Sequence, residues 1–534
     1  MKKTTTKLTI VLSIFALITA HTNCQWTQVG SDIDGEAAED WFGNSVSISS
    51  DGTVVAIAGN KNDASGTDAG HVRVYSYNGT DWVQKGSDID GEAAGDYFGS
   101  SVSLEPGGDL LAVGADANDG NAVNAGHVRL YSFSGSDWIQ VGTDIDGDGN
   151  DEWLGSSVSM SGTTVAVGVP GNNTNGTSSG LVRVYTYQLI NWVQMGNDIL
   201  GSSAGDFLGT SVSLSADAQV LAIGASGSDK GYVRTYEYNG SNWVQMGSDI
   251  AGEASGDQFG RSVSINADGT LLAVGASRND GGGTDAGHVR MFSYNGANWT
   301  QVGSDINGEK AVDYFGNSVS LSSHSTKVAV GAYLNDSGHV KTYSYKNIDW
   351  VPMGDKIVGE SQFDGFGISV SLSSDGNFLA VGGTGNDGNG TDAGHVKIYT
   401  CNSFSSISET VSGNYTSPSG KLWTSSGTYT DTIPNTLGCD SIVTINLTIE
   451  TLGITNINEK TLQIYPNPTN GKIAIKGVEG LNIQSIEIIN IVGTVVKQIE
   501  TGQKEIDMRL LPKGIYFLNI KTNLGLVTEK VMLE

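Results

Sequence analysis

Apolar and polar positions alternate in short runs along most of the chain, and Gly, Asp and Asn cut the runs apart; this pattern predicts β-strands rather than helices. From Trp82 the runs read "WVQ", "SVSL", "LLAVGA" and "HVRLYSF". "SVSL" and "VRLY" alternate strictly, whereas "LLAV" is apolar throughout, as expected of a strand covered on both faces. The same four runs recur behind tryptophans at Trp26, Trp82, Trp138, Trp192, Trp243, Trp299 and Trp350, with spacings of 56, 56, 54, 51, 56 and 51 residues. Four strands per copy at this period predict the blades of a β-propeller, seven of them over residues 26–402.

Turn chemistry sets the phase of the blades. "YSYNGTDW" at Tyr75, "YEYNGSNW" at Tyr236 and "FSYNGANW" at Phe292 each place Asn-Gly between two strands, a hairpin signal. Each Trp strand therefore pairs with the "GHVRVY" strand before it, and a blade runs from "FG.SVS" to the next Trp strand. The seventh blade, from Gly367 to Tyr399, has no Trp strand after it, while the strand at Trp26 has no blade before it. The two are expected to pair, closing the ring and removing an exposed edge.

The segments "FGNSVSIS" at Phe42, "FGSSVSLEPGGDLLAVGAD" at Phe98 and "FGRSVSINADGTLLAVGAS" at Phe259 resemble the FG-GAP repeats of integrin α-chain propellers, with Leu154 and Leu208 replacing Phe in two copies. The resemblance implies calcium in Asp-rich loops between the first two strands of some blades. The matching turns here, "SSDGTV" at Ser49, "EPGGDL" at Glu105 and "SADAQV" at Ser215, lack an Asp-x-Asp-x-Asp-Gly loop.

Composition narrows the partners. The 534 residues carry 29 basic and 57 acidic side chains, which argues against nucleic acid. The acids concentrate in long loops that strand parity places on one face of the ring. Clustered carboxylates among glycines suit calcium; Asp32, Asp34, Glu36 and Asp40, and Asp144, Asp146, Asp148 and Asp151, are the candidate ligands. The alternative reading is that these side chains close Asx-turns and keep the surface soluble.

Aromatic residues on the same face, Trp41, Tyr97, Trp153 and Tyr314, are the candidates for contact with an extracellular glycan or protein. The seven repeated tryptophans are expected to pack between blades. Recurring histidines at His71, His127, His288, His339 and His395 do not suit one shared metal. Equivalent third-strand residues in adjacent blades lie roughly 15 Å apart, since strands are spaced by about 5 Å, against zinc–ligand distances of ~2 Å. No catalytic constellation stands out: there is no His-Glu-x-x-His and no Asp-box. A binding or adhesion propeller is therefore the leading expectation, and a propeller-type enzyme acting on glycans is the alternative.

The ends concern export. Residues 1–25 run from Lys2, Lys3 and Lys7 into the apolar stretch from Leu8 to Ala20, the layout of a signal peptide and too short for a membrane-spanning helix. Cys24 stands near the expected cleavage site; a lipoprotein reading is the weaker option there because Asn23 precedes it. Cys401 and Cys439 then form the expected disulfide pair of an exported chain. Residues 403–450 are Ser/Thr-rich and strand-like, and "GTYTDTIPN" with "GCDSIVTINLTI" resembles a short repeat of secreted Bacteroidetes proteins.

Residues 455–534 read as an Ig-like β-sandwich. Tyr465, Pro466, Asn467, Pro468, Gly471, Gly493, Gly514, Tyr516 and Lys530 resemble the marks of the C-terminal sorting domain of type IX secretion cargo, which implies the type IX machinery as partner and a secreted or surface-attached location. Residues 451–534 hold 9 basic and 8 acidic side chains, so the acidity belongs to the propeller. The expectation for the whole is an all-β chain: seven-bladed propeller, small β module, β-sandwich.

Overall fold

A computed structural model of the protein describes residues 25–188, 190–227, 229–324, 326–434, 440–450, 462–477, 480–500, 503–523 and 525–534. The expected signal segment, apart from Gln25, lies outside them. All regular elements among the described residues are β-strands, and none is a helix long and apolar enough to cross a membrane.

Seven antiparallel sheets share one plan. In the first, Phe42–Ile48 pairs with Val54–Gly59, Val54–Gly59 with His71–Tyr77, and His71–Tyr77 with Trp82–Gln84. Val54–Gly59 is buried at every position, as its unbroken apolar run requires. The hairpin before Trp82 is a four-residue loop rather than a two-residue turn. Only Gly79 takes a positive φ, at 98°, while the Asn78 side-chain oxygen accepts the N–H groups of Thr80 and Asp81.

The fourth strand is longer than the sequence pattern indicates. After Trp82–Gln84 the chain bulges, with the Lys85 N–H still bonded to the Val74 carbonyl. It then rejoins the third strand at Ile89–Asp90, placing Ile89 opposite Val72 and Asp90 opposite His71. The start of each acidic segment, expected as loop, is therefore strand, and every sheet repeats this.

The ring closes as the phase requires. Gln25–Gln28 pairs with His395–Ser412, Trp26 opposite Cys401, and Ile33–Asp34 pairs with the same strand, Ile33 opposite Val396. The N-terminal strand thus supplies the outer strand of the seventh sheet.

Two belts of hydrogen bonds join the sheets. The first strand of each sheet has an unpaired inner edge, and serines of the neighbouring sheet satisfy it. Ser47 accepts the N–H of Leu104, Ser103 that of Met160, Ser159 that of Leu214, Ser213 that of Ile265, Ser264 that of Leu321, Ser320 that of Leu372 and Ser371 that of Ile48, at 2.9–3.1 Å. Two residues earlier, Ser101, Ser157, Ser211, Ser262, Ser318 and Ser369 donate to the carbonyls of Gly155, Gly209, Gly260, Gly316, Gly367 and Gly43.

The outer belt is made by the repeated tryptophans. The indole N–H groups of Trp82, Trp138, Trp192 and Trp243 donate to the carbonyls of Val29, Lys85, Val141 and Met195 in the preceding sheet. Trp26 and Trp299 donate instead to the hydroxyls of Thr342 and Thr235. These side chains pack between blades, as expected.

The chain divides into two compact units, one taking in residues up to 407 with 429–445, the other 408–428 with 446–534. The third strand of the seventh sheet runs unbroken from His395 to Ser412, across the expected boundary at 402/403. Cys401 is fully buried and disulfide-bonded; Cys439, its expected partner, lies outside the described residues. In the second unit, a three-stranded sheet (Leu462–Tyr465, Lys472–Gly477, Glu505–Asp507) and a four-stranded sheet (Val495–Glu500, Ile483–Asn490, Gly514–Thr522, Gly525–Leu533) enclose a core that includes Ile473, Ile486, Ile506, Leu518 and Val531.

Deleting residues 25–34 removes the outer strand of the seventh sheet, while the first sheet keeps its strands and loses the Val29 partner of Trp82. Hydrogen exchange is expected to speed up at Val396 to Thr400 well before it does at Val54 to Gly59; equal loss of protection in both sheets would contradict the closure.

Candidate functional site

The acidic face is organised by a cation on each third strand. Arg73 bonds Asp88 of its own sheet at 2.7 Å and also Glu36, from the segment entering that sheet. Arg129 holds Asp144 at 2.8 Å and Glu92 likewise. Arg183 bonds Asp148 at 2.7 Å and Asp198 at 3.2 Å. Arg234 holds Asp249, Lys341 holds Glu309, and Lys397 pairs with Asp32 and Glu360. Burial pushes the Asp144 carboxyl up, but the Arg129 hydrogen bond and charge outweigh it and leave Asp144 below its ordinary range.

The eight candidate calcium ligands are consequently distributed. Asp32, Glu36, Asp144 and Asp148 face third-strand cations, each a different one. Asp34 and Asp146 lie in the rejoining strand pieces, opposite His395 and His127. Asp40 is buried and accepts the Ala37 N–H at 2.9 Å, and Asp151 accepts the Asn124 side-chain amide at 2.8 Å. Loop aspartates brace the backbone five residues on: Asp63, Asp119, Asp280 and Asp387 accept the N–H groups of Asp68, Asn124, Asp285 and Asp392, while Asn62, Asn118, Asn279 and Asn386 close Asx-turns two residues on. The turn where the FG-GAP resemblance implies calcium does not fit it. Its one carboxylate, Asp51, is taken up by Ser49 and by the backbone and hydroxyl of Thr53.

The histidines sit beneath this face, each within its own sheet. His71 and His395 are fully buried, edge-on to Phe42 and Phe366 at ring distances of 5.8 and 5.9 Å. His71, Glu36 and Asp88 come within 4.8 Å of one another, as do His127, Asp144 and Asp146. In both groups the third-strand arginine already occupies carboxylates. Burial, reinforced by the adjacent Arg73 or Arg129, pushes His71 and His127 down to about 4, and it lowers His288, His339 and His395 as well.

A second constellation lies where the acidic segments enter the innermost strands. Trp41, Tyr97, Trp153, Phe207, Gln258 and Tyr314 occupy one register, each just before the first strand of a sheet. All six have φ between 51° and 56°; the seventh copy has Gly365 there, at 65°. Adjacent copies touch: Trp153 and Phe207 stack at 6.5 Å and 10°. The Lys61 ammonium lies 3.4 Å over the Trp41 ring, covering one face. The structure thus brings Trp41, Tyr97, Trp153 and Tyr314 onto one rim. Phe207 and Gln258 belong to it too and are not among the residues expected from the sequence, although the column before "FG" or "LG" identifies both.

Within the second unit, the Asn467 side-chain amide donates to the Lys530 carbonyl at 2.6 Å and its oxygen accepts the Met532 N–H at 2.9 Å. Tyr516 donates to the Pro512 carbonyl at 2.6 Å. Gly471 has φ 123°, and a Cβ there would meet Arg509 at 2.2 Å. Gly493 turns the chain at φ 83° between two strands. Asn467 therefore holds the Tyr465-to-Pro468 segment against the last strand.

The repeats and the sandwich both match known families. The FG-GAP repeat model matches residues 87–131, 140–185 and 250–292, and the model for the secretion system C-terminal sorting domain matches residues 463–534. The chain carries FG-GAP repeats and a Por-type sorting domain. The sorting domain places this propeller protein outside the cell, secreted or attached to its surface, by way of the type IX machinery. No curated protein matches the chain. Among solved structures it is similar to the hydrazine synthase of Kuenenia stuttgartiensis, at 16% identity, covering 66% of this chain and 94% of that one, with a TM-score of 0.45.

Two outcomes follow for the FG-GAP propeller and its sorting domain. The unfolded chain protonates each histidine near 6.5, while folded His71 resists until about 4, so the folded form loses stability as pH falls through that window. Each such histidine costs roughly 2 kcal/mol at pH 5. Melting temperature is expected to drop from pH 7 to pH 5, and His71→Leu, matching Leu181 in the third copy, to reduce the drop; an undiminished drop would rule the histidine out as the cause. Separately, removal of residues 462–534 is expected to leave the protein in the periplasm, as cell fractionation would show; normal surface display of the truncated chain would contradict the assignment.

Proposed function

We propose that this exported propeller is a binding or adhesion protein that engages an extracellular glycan or protein through the aromatic rim. The observation that carries the reading is the backbone of that rim. A bulky side chain in the left-handed region costs on the order of 1–3 kcal/mol, and glycine, used at Gly365, avoids the strain. Five of the six side chains that accept it are aromatic: Trp41, Tyr97, Trp153, Phe207 and Tyr314. Their rings are at least partly exposed, so packing alone does not account for them.

The acidic face supports a scaffold role. Its carboxylates are matched to third-strand cations sheet by sheet, so this reading needs neither bound calcium nor a catalytic carboxylate pair. Glycan and protein arrays probed with the secreted chain test it. Trp153→Gly and Phe207→Gly together are expected to weaken binding by about tenfold or more while leaving the melting temperature within a few degrees. Binding unaffected by rim substitutions would contradict the reading, and release of product from a bound glycan would make the protein an enzyme instead.

A further inference from the structure

The repeat is broken at the rim by two arginines of the fifth sheet. One step inside the rim, the residue after the glycine that opens each first strand is Asn44, Ser100, Ser156, Thr210, Arg261, Asn317 and Ile368 in the seven copies. Arg261 is the only charge in that column. In the loop after the second strand, Arg278 stands where the second, third and fourth copies have Ala117, Gly171 and Gly227. Neither position needs a cation for folding, because most copies build the same turns with small or neutral side chains; only the first copy, with Lys61, has another cation at the Arg278 position.

The two arginines belong to one cluster. Arg261 Nε donates to the Asn317 side-chain oxygen at 3.4 Å. The Arg278 guanidinium lies 5.7 Å from the centre of the Tyr314 ring, and Tyr314 lies 6.0 Å from Tyr333. Both arginine side chains are exposed, and neither forms an ion pair with a carboxylate of the described residues. Arg261 is walled by protein, which pushes its pKa down, and the Arg278 charge pushes the same way. Elsewhere the third-strand cations Arg73, Arg129, Arg183 and Arg234 all have carboxylate partners. Two neighbouring guanidiniums without a carboxylate partner, in a chain of net charge −28, are suited to an anion.

Resting on the binding function proposed above, we infer that this arc of the rim recognises an anionic sugar residue of a glycan. Arg261 and Arg278 bind its carboxylate or sulfate, and the Trp153–Phe207 platform and Tyr314 on either side carry the neighbouring rings. The flat, nearly parallel faces of Trp153 and Phe207 suit the C–H faces of pyranose rings better than an extended peptide. The net charge of the chain disfavours a densely charged polyanion, which selects glycans with isolated charges.

Calorimetric titration of the full secreted chain tests the inference with trigalacturonic acid, galactotriose, sulfated galactotriose and an oligoglutamate peptide. At least one of the two anionic sugars is expected to bind about tenfold or more tighter than galactotriose, and which one binds identifies the charged group. Arg261→Ser and Arg278→Ala, the residues of sibling copies, are expected to abolish that preference while leaving the fold intact. Equal binding of charged and neutral sugars, a preference that survives both substitutions, no binding of either anionic sugar, or equally tight binding of oligoglutamate through the same arginines would overturn it. Galactotriose binding lost on Trp153→Gly but insensitive to the arginines would overturn this inference alone and leave the binding function standing.

Discussion

A propeller must dispose of the inner edge of every sheet, and in this protein the motif Ser-x-Ser does it. The first strand of each sheet has a row of unpaired backbone groups, and leaving a buried N–H without a partner costs about 1–3 kcal/mol. The second serine of one sheet accepts an edge N–H of the next, from Ser47 and Leu104 round to Ser371 and Ile48. The first serine donates to the glycine carbonyl that opens the neighbouring strand. Because each sheet satisfies its neighbour, the bonds are complete only when the ring is closed. The N-terminal strand, paired at Trp26 with Cys401, supplies that closure at the outer edge.

Electrostatics on the loop face follow the same neighbour logic. Among the described residues, five of the seven third-strand cations reach an acid on their own fourth strand, and six reach one on the incoming segment; Arg73 does both, with Asp88 and Glu36. The acidity that dominates the composition is therefore largely spent on holding the incoming segments in place. Half-exposed pairs of this kind contribute little energy individually; their value lies in fixing the segment that ends at the rim. Beneath them, buried neutral histidines fill the space under the conserved geometry of the "FG" phenylalanines.

Much of this architecture was legible because it depends on local signals. Period-two alternation, apolar second strands and turn residues give the sheets, and the count of tryptophans gives seven. The phase followed from Asn-Gly, and it predicted the pairing of Trp26 to the last sheet. What was illegible depends on partners far apart in sequence. Ser47 and Leu104 are 57 residues apart, and Glu36 is 37 from Arg73, so "SVS" read only as alternation and the acidic segments only as ligand-like loops. The left-handed backbone of the rim was hidden for a different reason: aromatic residues seldom adopt it, so their presence before "FG" gave no turn signal.

The division between repeated and unrepeated residues separates scaffold from recognition. Residues that form the belts, the tryptophans, the paired serines and the third-strand cations, recur in nearly every copy, because each makes the same contact with a like neighbour. A ring built that way presents the same surface seven times and distinguishes nothing about a ligand's orientation. Asymmetry enters at positions the belts do not use, above all the rim and the step inside it. There the copies differ in size, charge and aromaticity while their backbone stays fixed, with φ held within a few degrees from Trp41 to Tyr314. A rigid backbone with variable side chains is what a binding surface requires, since the scaffold holds the contacts in place before a ligand arrives and little ordering is left to oppose association. The strain at the rim and the unmatched arginines beside it therefore have one explanation: both are tolerated where the ring stops repeating itself.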